Sequence, residues 1–237
     1  MRKISALTIF FLCITIFCNS QETLLKFTHS YFRSDPYKGT FSSFVNHLLN
    51  DPDIKEKETY QRTDTSFFYF LGKYNKFNPF FFKPTRLEVL LTEVAMEFTE
   101  GPMPGTDTFF VYQLLAFMDY TKDGINDVKK ECERISRQYK KKFFDANYSE
   151  MKKGEEVVGA VNNFFIPNYG IAPVSIAWGK MPNENSAVLN ITLRIKSSNN
   201  LAVSPRPLYQ PQRMGSLYRI RVNDSLFING VDPDPAR

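Results

Sequence analysis

The chain has 237 residues, a formal charge of +5, 43% hydrophobic residues and 23% charged ones. Its apolar content excludes wholesale disorder, and 11 Gly and 3 Cys exclude collagen-like and disulfide-dense scaffolds. Past the N-terminus no apolar run approaches the roughly 18 residues of a membrane-spanning helix.

The first twenty residues read as an export signal. Arg2 and Lys3 form a positive start, Ile4 to Phe17 an apolar stretch, and Cys18-Asn19-Ser20 a small–any–small cleavage pattern. Cleavage after Ser20 is expected, leaving Gln21 first and lowering the charge to +3, since two bases and no acid leave. The rival reading is a lipoprotein acylated at Cys18, against which stands the large Phe17 just before it. Without Cys13 and Cys18 the one remaining thiol is Cys132, so the fold holds without an internal disulfide. The abundance of Phe, Asn, Lys, Ile and Tyr fits an AT-rich genome, and a bacterial envelope (periplasmic) or secreted protein is the working expectation.

After the leader, Phe41, Phe44, Val45, Leu48 and Leu49 keep helical spacing behind Thr40, and Asn50-Asp51-Pro52 stops the helix. The charged stretch Asp51 to Asp64 reads as an exposed connector. Ser66 to Phe82 holds nine aromatics in seventeen residues and reads as two short extended segments or a packed aromatic loop. Thr85-Arg86-Leu87-Glu88 has the form of a capping box, and Leu87, Leu90, Leu91, Val94, Ala95 and Phe98 follow a 3.6-residue period, predicting a helix that Gly101-Pro102 ends. Thr108 to Asp119 is apolar almost all round and predicts a buried helix. An amphipathic helix is predicted from Ile125 to Phe144 with Cys132 on its inner stripe, and another from Glu155 to Phe165.

Beyond Gly170 the period changes to two. Val174–Trp178 and Leu189–Ile195 predict strands joined by a hairpin at Pro182–Ser186, and Tyr218–Val222 and Leu226–Ile228 predict one or two more. No repeat shows at solenoid periods. The expectation is therefore an α+β fold: an N-terminal helical layer of about five helices packed on a C-terminal three- to four-stranded antiparallel sheet. It is read as a single domain over residues 21–231 with a frayed tail at 232–237; the alternative is a sub-boundary near 167–173.

No catalytic signature emerges. His29 and His47 belong to no metal-ligand string, Ser216 lacks a nucleophile elbow, and no phosphate-cradling glycine loop occurs. Asp119 to Asp127 resembles an acidic calcium loop, but Thr121 replaces one acid and Lys130 stands where the closing Glu belongs, so it also reads as a metal-free helix–helix turn, Asp123-Gly124 stopping one helix and Asn126 or Asp127 opening the next. No cofactor and no metal site are expected. From Arg194 to Arg221 there are six bases and no acid. Arg194, Lys196, Arg219 and Arg221 fall on the polar sides of predicted strands and are the candidate ligand-binding residues, suited to an anionic envelope polymer, a lipid headgroup or an acidic protein rather than to nucleic acid. A non-catalytic binding module is the favoured function. The alternative is an exported hydrolase whose acid pair meets only in space.

Overall fold

The computed structural model of the protein describes residues 22–38, 41–61, 68–98, 105–166, 172–181 and 184–196. The leader, the strands expected at Tyr218–Val222 and Leu226–Ile228, and the tail lie outside these residues. In chain order the described elements are α1 (residues 22–31), α2 (Phe41–Asn50), β1 (Ile54–Gln61), β2 (Phe68–Tyr74), β3 (Arg86–Phe98), β4 (Gly105–Asp119), α3 (Lys122–Tyr139), β5 (Asp145–Lys153), β6 (Glu156–Phe165), β7 (Val174–Met181) and β8 (Ser186–Lys196).

All eight strands form one antiparallel sheet in the order β1-β2-β3-β4-β8-β7-β6-β5. The expected layer of about five helices on a three- to four-stranded sheet is thereby overturned: three helices serve eight strands among the described residues. The order also exposes a repeat of topology. A helix followed by a four-stranded meander occurs twice, and the two meanders join through their last strands, β4 and β8, which pair antiparallel about Gln113↔Thr192.

Two of the segments expected as helices, β3 and β4, share one cause. A strand buried on both faces loses its polar alternation and becomes a continuous apolar run. In β3, Val89 and Leu91 join the helix-covered core while Leu90, on the opposite face, belongs to a second cluster. In β4, Tyr112, Leu114 and Ala116 face the helices while Gln113, Leu115 and Phe117 face away. The apparent capping box dissolves as well: Thr85 donates through both its backbone N–H and Oγ1 to the carbonyl of Phe117, at 2.9 and 3.0 Å, which fixes the start of the β3–β4 ladder. The predicted helix at Glu155–Phe165 is β6, entered through a hairpin turn at Gly154, whose φ of +65° suits glycine. The connector expected at 51–64 is largely β1.

Other expectations stand. α2 keeps its bounds and buries Phe44, Val45 and Leu48. α3 buries Val128, Cys132, Ile135 and Tyr139 as one stripe, though it stops at Tyr139 because Phe143 turns into the core and the Phe144 N–H bonds the Phe165 carbonyl. β7 and β8 form the expected hairpin, and Leu189, Ile191 and Leu193 lie beneath the helices. Both sheet edges are charged and irregular, as free edges need to be: β1 reads Ile-Lys-Glu-Lys-Glu with a bulge at Glu56 (φ 48°), and β5 ends in Glu150, Lys152 and Lys153.

Helix-side burial at the β4–β8 seam carries the stability. Ile191→Ala, which empties a fully buried site on that seam, is expected to lower unfolding free energy by roughly 3 kcal/mol in chemical denaturation.

Candidate functional site

Three places bring polar or reactive groups together. The first is the start of β1. Asp51 and Asp53 are both nearly buried and stand beside an open depression edged by Arg33, Lys55, Asn75, Lys76 and Phe77. This is the spatial acid pair that a hidden hydrolase would need. Its oxygens, however, are all engaged. Asp51 Oδ1 accepts from the Asp53 N–H at 2.9 Å, and its Oδ2 pairs with Arg33 Nε at 3.0 Å. Asp53 accepts from the N–H groups of Lys76 and Phe77 at 3.0 and 2.9 Å and from Arg33 at 3.3 Å. The pair therefore ties the start of β1 and the loop that follows β2 to the end of α1.

The second is α3 with the aromatic loop before β3. Arg134 grips the buried Glu131 by two bonds of 2.8 Å, and its guanidinium lies 4.0 Å over the ring of Phe81, which is 82% exposed. Glu131 also accepts from the Phe81 N–H at 3.3 Å. The Glu131 side-chain bonds hold the Arg134 proton far more firmly than usual. Cys132, on the same helix, is buried, with its thiol 3.9 Å from the Ile176 carbonyl, and burial pushes it up to about 12. A thiol this hard to ionise is a poor nucleophile at neutral pH.

The third is the sheet face away from the helices. Along β8, Asn190, Thr192 and Arg194 share this face with Gln113 of β4 and Ser175 of β7. Gln113 Nε2 donates to Thr192 Oγ1 at 3.3 Å, and Thr192 Oγ1 donates to Asn190 Oδ1 at 3.1 Å. Ser175 Oγ donates to Asn163 Oδ1, and Arg194 donates to Ser175 Oγ at 2.6 Å and to the Ala172 carbonyl at 3.0 Å. Beside this polar row lies an apolar cluster of Leu90, Leu115, Phe117 and Val188 to which no described helix contributes. The face is concave. Met151 of β5 and Leu115 of β4 line the same narrow cavity of about 20 Å³, although three strands separate them and a flat sheet would hold them nearly 20 Å apart. Met151 reaches inward across the paired glycines Gly159 and Gly179, where a Cβ on Gly159 would strike its methyl at 2.4 Å. Gln113 lines that cavity too. It is 1% exposed, and its Oε1 accepts no hydrogen bond.

Of the sequence-predicted ligand residues, Arg194 sits on this concave face, Lys196 is the last described residue of β8, and Arg219 and Arg221 lie outside the described residues. The four are thus not seen together. His29 is a surface residue bonded to Asp35 at 2.8 Å, and His47 is exposed on α2. The calcium-like loop is a helix start: Thr121 Oγ1 accepts from the Gly124 N–H at 3.0 Å, and no group of three or more His, Cys, Asp or Glu that could hold a metal occurs among the described residues. Gln113 escaped sequence reading because an isolated polar residue in an apolar run carries no mark of which neighbour will satisfy it.

Two measurements check these assignments. Asp53→Ala is expected to destabilise the fold by roughly 3 kcal/mol, since it strands two loop N–H groups and Arg33. Alkali is expected to unfold the protein early. Burial raises Cys132, Tyr74 and Tyr112 above their ordinary values of 9.0 and 10.0, so the fold favours their neutral forms. The stability they contribute is whole below pH 9 and is lost as pH climbs from there towards 12. Thermal melts should show a falling Tm over that window, with a shallower fall in Cys132→Ala. No family model, no curated protein and no solved structure matches the chain.

Proposed function

We propose that the protein is a non-catalytic, exported module of the bacterial envelope that binds an anionic, hydroxyl-bearing polymer across the concave face of its sheet. The export reading rests on the leader, with Cys18 acylation as its rival form. The observation that carries the binding reading is Gln113: a buried side-chain acceptor with no donor, set in the floor of a concave surface. An unmet buried acceptor costs about 1–3 kcal/mol, which a ligand hydroxyl reaching the cavity would return. Arg194, on the same face, supplies the positive charge that orients an anionic group, while Leu115, Val188 and Met151 give apolar walls for a ring or chain. Small-molecule and polymer sites combine these elements, apolar walls with a few fixed polar groups.

The acid pair Asp51–Asp53 gives the hydrolase alternative little support, because its oxygens are consumed by backbone N–H groups and Arg33. No described helix is long and apolar enough to cross a membrane. The partner considered is a polymer or a protein, not nucleic acid.

Calorimetric titration of the chain from Gln21 with soluble anionic envelope fragments, such as glycerol-phosphate oligomers or acidic peptidoglycan pieces, tests the reading. Gln113→Leu is expected to weaken binding about tenfold while leaving Tm equal or higher, since an apolar replacement removes the unmet acceptor. Arg194→Ala should weaken binding and lower its salt sensitivity. Breakdown of a fragment without stoichiometric binding would favour the hydrolase instead.

A further inference from the structure

The end of the molecule where the chain enters α1 has a character that the concave face does not share. Phe27 of α1 packs on Tyr139 at 4.8 Å and on Phe143 at 6.3 Å between ring centroids. One turn later, Tyr31 lies 6.3 Å from Tyr139 and against Phe80, beside Arg134. As α1 advances, its partners on α3 therefore step backwards, and the two helices run antiparallel. Glu22, five residues before Phe27, lies about 7 Å further along the α1 axis, beyond the C-terminal end of α3. The residues at that end are Lys140, Lys141, Lys142 and Phe144.

These residues form a surface without a structural task that accounts for it. Arg137, Lys140, Lys141 and Lys142 are all exposed, and no acid occurs between Arg134 and Asp145. None of the three lysines forms an ion pair among the described residues; Lys142 only leans over the Tyr139 ring at 5.0 Å. Of the acids near them in sequence, Glu133 stands one turn before Arg137, Glu131 holds Arg134, and Asp145 Oδ1 accepts the Ala146 N–H; on α1, Glu22 pairs with Lys26 at 2.5 Å. The helix C-terminus attracts one or two cations, but three consecutive lysines past the last turn exceed that need. Phe144 follows them with 60% of its surface in water, although its neighbour Phe143 is buried.

We propose that this end of the protein docks on an anionic phospholipid surface, with Lys140, Lys141, Lys142 and Arg137 on the headgroups and Phe144 inserted at the boundary. Clustered cations with an exposed aromatic ring are the combination that charged bilayers bind, each lysine near the surface contributing roughly fivefold in affinity. A lipid, rather than a soluble polyanion, is indicated by Phe144: an exposed aromatic ring beside the cations gains from an apolar interior that a soluble polyanion lacks. The concave face opens from the sheet, so the inference is independent of the ligand proposed for it.

The test is co-sedimentation of the chain from Gln21, which retains every described element, with vesicles of phosphatidylcholine alone and of phosphatidylcholine mixed with phosphatidylglycerol. Binding is expected to the mixed vesicles only and to fall steeply with salt. The triple variant K140Q/K141Q/K142Q should lose about 100-fold in affinity and F144S about tenfold, both with unchanged melting curves. K55Q/K76Q, at the Arg33 end of α1, should bind within about twofold of the parent. Failure to bind mixed vesicles, equal losses in the two multiple variants, or binding to a soluble polyanion but not to vesicles would each overturn the inference. The last result would assign the patch to an envelope polymer, and a null result here leaves glycan titration at Gln113 unaffected.

Discussion

The pairing of β4 with β8 is the constraint on which the molecule depends. Their central residues, Gln113 and Thr192, stand 79 positions apart, yet their side chains are hydrogen-bonded. Until that seam closes, each meander is a four-stranded sheet with both edges open. Once closed, the seam brings Tyr112 and Leu114 beside Ile191 and Leu193, and the three helices then cover one face. Phe32 and Phe44 both settle on the Tyr112 ring, at 4.5 and 5.1 Å, so α1 and α2 are placed by a residue of the seam.

The legibility of the fold followed burial. α2, α3 and the β7–β8 hairpin were readable because each shows one apolar face and one polar face, whose period names the element. β3 and β4 were not, because both faces of each are buried and Leu90-Leu91 or Leu114-Leu115 then imitates the i, i+3, i+4 spacing of a helix. Length misled as well, since 13 and 15 residues are long for strands and ordinary for helices. The doubled topology was invisible for a related reason. Equivalent strands in the two halves share a place in the sheet without sharing side chains: Leu71 and Leu90 pair in one half where Asn163 and Ser175 pair in the other.

On the face away from the helices, polar and apolar residues separate along the strands and not at the seam. Asn163, Ser175, Thr192, Arg194 and Gln113 gather towards one end, and Leu115, Phe117, Val188 and Met181 towards the other, so the concave surface has a hydrogen-bonding end and a greasy end. Of this surface, Asn190, Thr192 and Arg194 were legible in advance, as the polar positions of an alternating strand. Gln113 and the Gly159–Gly179 notch became visible only when the strands took their order, because what makes each unusual is its neighbour across the sheet.

The polar row has two readings that pull on the same residues. Buried hydrogen bonds between β4 and β8 help specify register, since a slip by one residue would set Gln113 against an apolar neighbour. Register alone, however, needs a ladder whose members are all satisfied; the Thr192–Asn190 bond meets that need, and the open Gln113 oxygen works against it. A valine at position 113 would fill the same space at less cost to stability. A residue that weakens the seam on which the fold depends, while aiming an acceptor into a concave surface, is better explained by what reaches that surface than by the sheet beneath it.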